Sequence, residues 1–349
     1  MSLGNILIRA DASVSMGTGH VMRCLALAQA WQDAGGKVVF AMAESLPSIS
    51  ERLRAEGIPV ARLNHSAGSD HDARETLELA GSNRADWLVI DGYAFDAEYQ
   101  RRMKNAGMRL LVVDDGGDVS HYSADLVLNQ NVHSNRAMYE KRESYTRLLL
   151  GPRYALLRRE FGCLRGQVRE VTGPARKVLI TMGGSDAANV TSKVIRALGL
   201  VGMEGLQSMV LVGGGNPHMD VLRELAAGCG AEIRIVSNPQ SVGELMLWAD
   251  VAVSAAGSTC WEMCFLGLPA MVIDVAENQR LIAEGLARLA IFIHAGSSES
   301  VSEEKMAADI EGLLLSQECR SAMSRRGREL VDGEGARRMV GELQRSRGL

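Results

Sequence analysis

A chain of 349 residues exceeds what one ordinary hydrophobic core serves, so two domains are expected. Hydrophobic residues make up 46% and charged residues 23%, the balance of a globular protein, and a net charge of −4 with no long basic run argues against a broad nucleic-acid-binding surface. No apolar run reaches the roughly 18 residues of a membrane helix, and no basic segment followed by an apolar one opens the chain, so neither a membrane partner nor a secretory leader is expected.

The predicted elements alternate from one end to the other. "NILIRA" (5–10) reads as a buried strand, and "VMRCLALAQAWQDAGG" (21–36) as a helix with apolar residues at 3–4 spacing, closed by two glycines. Strand 37–43, a helix near 48–56, strand 58–63, a helix near 71–81, strand 87–91, a helix near 96–106 and strands 109–115 and 125–131 follow. After a less regular stretch a second series opens with "KVLITMGG" (177–184). It continues with helix 187–199, strand 208–215, helix 218–227, strand 232–238 and helix 241–249. Strand 251–257, helix 258–266, strand 269–275, helix 278–289 and strand 291–296 complete it, and the chain is helical from about 302. Strands separated by helices of about 10–15 residues form parallel sheets covered on both faces. The fold class expected is therefore α/β, with two Rossmann-like doubly wound domains facing a central cleft. The boundary lies in 151–176 and is drawn at 155/156. Residues 1–155 form the first domain and 156–349 the second, with the last helix able to cross back.

Six cysteines, at 24, 163, 229, 260, 264 and 319, never form C-x-x-C. Cys260 and Cys264 stand one helical turn apart, but no histidine or further cysteine is near in sequence, so they read as buried packing rather than a metal pair. That usage fits a reducing, cytoplasmic setting.

Each half opens with strand, glycine turn and helix, and such sheets bind ligands beyond the carboxyl ends of their strands. Neither turn is a dinucleotide fingerprint: "GTGHVM" lacks the third glycine and "GGSDAAN" has another spacing. No phosphate loop of the G-x-x-x-x-G-K-[ST] type is present, which disfavours a nicotinamide enzyme or an ATPase. His20 stands where a helix begins, and the positive helix end favours the neutral imidazole a general base needs. The bland alternative is a histidine that packs or caps at the turn. Arg23, one turn on, is placed to pair with Asp11, with a phosphate, or in a surface ion pair. In "SAAGSTCWE" (254–262), Ser258 and Thr259 open a helix whose N–H groups suit a diphosphate. Glu262 has the chemistry to hold a ribose or simply to complement the helix dipole. "DVAENQR" (274–280) brings Asp274, Glu277, Asn278 and Gln279 to another strand end. Tyr93 and the acids of "VVDDGGD" (112–118) sit at strand ends of the first half, with no metal-loop spacing among them.

Taken together, "IRADASVSMGTGHVMRCLALA", "IDGY", "VDDGG", "LVLNQN", "GPRYALLRREF" (151–161), "TMGGSD" (181–186), "SAAGSTCWE" and "ENQ" resemble the UDP-sugar hydrolases of pseudaminic acid biosynthesis. The likeness runs from about residue 6 to 296. That family is similar to the GT-B glycosyltransferases, and the resemblance implies hydrolysis of UDP-2,4-diacetamido-2,4,6-trideoxy-β-L-altropyranose at the anomeric carbon with inversion. It implies a role in flagellin glycosylation, a UDP-sugar as the partner, no cofactor, no metal and a monomer. By motif, His20 is the catalytic residue. Asp11, Gly17, Gly19, Arg23, Tyr93, Asn278 and Gln279 would contact the sugar. Gly183, Gly184, Ser185, Val236, Ser258, Thr259 and Glu262 would hold UDP. Ala187 departs from the proline common in relatives, which only presets a helix start. Rival readings are a glycosyltransferase using the same fold, a UDP-sugar epimerase, and a nucleotide-sugar-binding protein without turnover.

Overall fold

The structure is a computed structural model that describes residues 3–237, 239 and 241–346. It divides into two units, Met1–Arg159 with Gly333–Leu349, and Glu160–Asp332.

The first unit holds β1 (Asn5–Ala10), α1 (Gly19–Asp33), β2 (Lys37–Met42), α2 (Pro47–Ala55), β3 (Val60–Arg62), α3 (Asp70–Ser82) and β4 (Ala85–Asp91). It continues with α4 (Ala97–Asn105), β5 (Leu110–Val113), β6 (Leu126–Asn129) and β7 (Arg147–Leu150). The strands form one parallel sheet in the order β3-β2-β1-β4-β5-β6-β7, with Ile8 opposite both Phe40 and Val89. This is the doubly wound order 3-2-1-4-5-6 with one added edge strand, and its switch point lies between β1 and β4. The sheet carries a near-continuous apolar register (Leu7, Ile8, Leu88, Val89, Leu111 and Val127 are wholly buried) because helices cover both its faces.

α5 (Arg159–Gly162) leads into the second unit, which holds β8 (Lys177–Thr181), α6 (Val190–Leu200), β9 (Gln207–Val212), α7 (Met219–Gly228), β10 (Glu232–Ser237) and α8 (Val242–Trp248). Then come β11 (Val251–Ala255), α9 (Thr259–Leu266), β12 (Ala270–Asp274), α10 (Glu277–Arg288), β13 (Ile293–Ser297), α11 (Glu303–Leu315) and α12 (Gln317–Leu330). Its sheet is also parallel, in the order β10-β9-β8-β11-β12-β13, so the same winding occurs twice in one chain.

α13 (Gly335–Arg345) belongs to the first unit. Met339, Val340 and Leu343 join the core beside Trp31, Leu27 and Leu156. Each such side chain removed from water contributes about 1.5–3 kcal/mol. Gly335 lets the helix start flush against the 152–154 turn, since a Cβ there would stand 2.1 Å from the Ala155 carbonyl oxygen. The second unit thus ends at Asp332, not at 349, and begins at Glu160, not at 156, because residues 156–159 hold to the first unit, where the Leu156 N–H donates to Gln130 and the Arg159 N–H to Gln29, while Glu160 accepts from the Val242 N–H of the second.

Element limits agree with the sequence reading to within a few residues, with two informative exceptions. β7 was not foreseen, being four residues on a sheet edge with no alternation to mark it. α6 starts at Val190 rather than 187, because the Asp186 carboxylate accepts from the Val190 and Thr191 N–H groups at 2.8 and 3.0 Å while Asn189 turns through a left-handed conformation. The end of the predicted strand 232–238 lies outside the described residues.

Candidate functional site

In the first unit the candidate residues gather at the carboxyl ends of β1, β4 and β5. Gly17 has φ +80°, which closes the 13–17 turn through a Gly17 N–H donated to the Ser13 carbonyl at 2.9 Å. α1 then begins at Gly19, one residue before the predicted histidine, and His20 is buried in the first helical turn. Among the described residues, no atom beyond the chain neighbours stands within 4 Å of a Cβ built at Gly17 or Gly19, so the backbone there is open.

The partner of His20 comes from 71 residues away. Its Nδ1 lies 2.6 Å from Asp91 Oδ1, at the end of β4. Asp91 also accepts from Arg23 Nε and Nη2, both at 2.7 Å, and from the Cys24 thiol at 3.3 Å. Burial alone would raise the Asp91 carboxyl; Arg23 and His20 outweigh it and hold the group well below the usual carboxylate range. An ionised Asp91 only accepts, so the proton shared with His20 sits on Nδ1. The Tyr93 ring stands edge-on to the imidazole with centroids 5.0 Å apart, is 61% exposed, and donates its hydroxyl to Asp115 at 3.4 Å.

The sequence expectation for Arg23 is corrected here. Arg23 does not pair with Asp11; it is buried between Asp91 and Asp115, its Nη1 lying 2.6 Å from Asp115 Oδ1. Asp11 is taken by Arg9, with Nη1 at 2.8 Å, and by the Ala43 and Glu44 N–H groups. Arg9 in turn binds Asp72 at 2.9 Å and lies over the Phe95 ring. The arginine-x-aspartate opening is therefore a wholly buried brace that ties β1 to the turn after β2 and to α3. Asp11 is 4% exposed, and all of these contacts fall on its Oδ1.

The acids of "VDDGGD" do not converge. Asp114 accepts from the Tyr122 and Tyr139 hydroxyls and from the Gly117 N–H, and burial raises its carboxyl. Among the described residues no group of three or more His, Cys, Asp or Glu side chains stands together as metal ligands do. Cys260 and Cys264 are buried, and burial pushes both thiols up.

In the second unit the glycine loop after β8 and the loop after β9 meet backbone to backbone. The Gly215 N–H donates to the Gly184 carbonyl at 3.2 Å, and a Cβ on Gly213 would stand 2.3 Å from that same oxygen. Gly183 has φ +85° and an open flank, and Ser185 beside it is buried. After β11, Ser258 precedes α9 without capping it through its side chain, and Glu262 is the acidic residue of the first turn, where it complements the helix dipole. Ser258, Thr259 and Glu262 are all half-buried on that first turn. Gln279 reaches the same loop: its Nε2 lies 3.8 Å from a Cβ built on Gly257, while its Oε1 accepts from the Val275 N–H. Asn278 is exposed at the start of α10, and Val236 is half-buried in β10, the edge strand. So Gly257–Thr259 and Gln279 cluster, whereas Val236 stands two strands from β8.

Besides the His20–Asp91 contact, sequence reading missed two partnerships. One is Asp91 with Asp115 around Arg23. The other is His294, whose Nε2 pairs with Asp274 at the end of β12. Both join residues far apart in sequence; the only signal was an acid at the end of a predicted strand.

Residues 178–330 match the glycosyltransferase family 28 C-terminal domain. Over 282 residues the chain is 28% identical to the uncharacterized protein MJ1062 of Methanocaldococcus jannaschii, a match covering 79% of this chain and 56% of that longer protein. It is 23% identical to the spore coat polysaccharide biosynthesis protein SpsG of Bacillus subtilis over 97% of both chains. It is also a homologue, 25% identical over 81% of its own length and 96% of the other, of the UDP-2,4-diacetamido-2,4,6-trideoxy-beta-L-altropyranose hydrolase of Campylobacter jejuni. Among solved structures it is similar to Acinetobacter baumannii MurG (TM-score 0.64, 16% identity, 98% of this chain and 99% of that one) and to the spinosyn rhamnosyltransferase SpnG (0.67, 17%, 98% and 99%). The fold is therefore that of the two-domain GT-B glycosyltransferases. No helix among the described residues is long and apolar enough to cross a membrane.

Proposed function

We propose that this chain, a homologue of a UDP-sugar hydrolase, itself hydrolyses a UDP-linked diacetamido-trideoxy sugar at the anomeric carbon, releasing UDP and the free sugar with inversion. The observation that carries the reading is the His20–Asp91 contact of 2.6 Å at the switch point of the first sheet. In this reading Nδ1 is committed to Asp91 and Nε2 serves as the proton acceptor, with the exposed Tyr93 against the ring.

In this scheme His20 Nε2 takes a proton from water as the water oxygen bonds to C1. The bond from C1 to the phosphate oxygen breaks, and UDP departs with the electron pair. Asp91 stabilises the imidazolium so formed. UDP is a good leaving group, so a second carboxylate of the glycosidase kind is not needed. Tyr93 and Asn278 serve the sugar. The helix start at Ser258–Thr259, the Gly183–Ser185 turn and Glu262 serve UDP, with N–H groups toward the diphosphate and the carboxylate toward the ribose. Val236 supplies backbone to the base. A glycosyltransferase reading is supported by the family 28 match of residues 178–330 and by 26–28% identity over 49% of the chain to UDP-N-acetylglucosamine transferases; release of UDP in water with no acceptor present would decide against it.

The test is mass analysis of products from a panel of UDP-diacetamido sugars in ¹⁸O-water. Label is expected in the sugar and not in UDP. His20→Asn should keep UDP binding while turnover falls by about 10²–10⁴, the range for a general base. Label in the phosphate, or near-normal turnover by His20→Asn, refutes the mechanism.

A further inference from the structure

The "NQN" segment and the second acid of "VDDGG" remain without a role in this scheme, yet they form a chain of contacts that ends on His20. Asn131 Nδ2 donates to Asp115 Oδ1 at 2.7 Å. Asn129 Nδ2 and His133 Nε2 hold the Asp115 carbonyl oxygen at 3.0 and 3.2 Å. So fixed, Asp115 meets Arg23 Nη1 at 2.6 Å. The other edge of the same guanidinium grips Asp91 through two N–H donors at 2.7 Å. Arg23 Nη2 also stands 3.2 Å from His20 Nδ1. We propose that Arg23, backed by Asp115, is a positioning residue that fixes Asp91 and sets the charge state of His20. This rests on the reading that His20 is the base.

The argument is one of charge and geometry. Asp91 is a wholly buried carboxylate that needs a cation. With His20 as its only partner, Asp91 would favour the imidazolium, in which Nε2 already carries a proton. Arg23 supplies that cation permanently, because a guanidinium does not give up its proton. Its planar fork also fixes both Asp91 oxygens, so Oδ1 stays aimed at Nδ1. Asp115 acts in the opposite sense, since its negative charge offsets part of the Arg23 field. The groups facing this cluster are Arg23 and Cys24 from α1, Asp91 and Tyr93 from the end of β4, and Asp115 with His133 from the segments after β5 and β6. Cys24 is neutral, because burial pushes its thiol up.

Two variants should therefore move His20 in opposite directions, which a purely structural role would not do. The measurement is the protonation midpoint of His20 by ¹⁵N NMR on histidine-labelled full-length protein without substrate, with His20→Asn to assign the signal. Arg23→Gln should raise the midpoint and Asp115→Asn should lower it, each by about one pH unit, the effect of a close charge. Arg23→Lys keeps the charge but not the fork, so its midpoint should stay near wild type while turnover falls about tenfold, as when a supporting partner is lost. Should Arg23→Gln not fold, Asp115→Asn and Arg23→Lys carry the test. Midpoints unmoved in folded Arg23→Gln and Asp115→Asn, or moved the same way, overturn the proposal. Wild-type protein that releases no UDP from the sugar panel defeats the hydrolase reading instead, and the substrate-free NMR result is independent of it.

Discussion

Replacing Asp91 with asparagine keeps the shape of the side chain and removes its charge. In the native structure the carboxylate is surrounded by donors: His20 Nδ1 at 2.6 Å, Arg23 Nε and Nη2 at 2.7 Å, and the Cys24 thiol at 3.3 Å. An asparagine oxygen still accepts on one side, but its NH₂ then points hydrogens at a donor on the other. Breaking a buried ion pair by removing one member costs about 3–5 kcal/mol. Asp115 still faces Arg23, so the lower end, about 3 kcal/mol, is expected for Asp91→Asn at pH 7. The sign with pH follows from the folded-state carboxyl, which lies well below the ordinary aspartate range. A depressed group stabilises above the unfolded pKa, near 4, and that contribution is lost as pH falls through the folded value. The gap between wild type and Asp91→Asn should therefore be full at pH 7 and shrink on going below about pH 4. Urea unfolding of both proteins at pH 7 and at successively lower pH measures it. Turnover of the folded variant should fall by about 10²–10⁴, with UDP affinity unchanged, because Nδ1 loses its charged acceptor and the imidazolium its stabilising carboxylate. A gap under about 1 kcal/mol at pH 7, the size of an ordinary surface pair, or one that widens in acid, refutes the reasoning.

Glu262→Ala should weaken UDP binding by about 1.5–3 kcal/mol, the worth of a charged hydrogen bond, as read by calorimetry; unchanged affinity in a folded variant removes Glu262 from the ribose. Leu343→Ala, in the wholly buried seam of α13, should destabilise the first unit by about 2–5 kcal/mol in denaturant unfolding while leaving UDP affinity intact. Gly335→Ala would set a methyl group 2.1 Å from the Ala155 carbonyl oxygen and should cost about 1–3 kcal/mol by the same assay.

Periodicity and glycine placement were enough to read the α/β class, the two series of strands and helices, and the turn that carries His20. These are local signals: apolar runs that become buried strands, 3–4 spacing that becomes helix, and a glycine such as Gly17 where φ must be positive. What the sequence could not decide was which side chains meet. His20 and Asp91 are 71 residues apart and Arg23 and Asp115 are 92, so only the 3-2-1-4-5 strand order brings them to one sheet edge. Asp11, near in the chain, is one of the partners the sequence offers Arg23, beside a phosphate or a surface ion pair. In the fold, Arg9 and Asp11, two apart at the end of β1, point to the same side and satisfy each other. Arg23 was then left for acids at two other strand ends. The short edge strand β7 escaped notice for a related reason: four residues carry little pattern of their own, and their pairing with β6 is what makes them a strand.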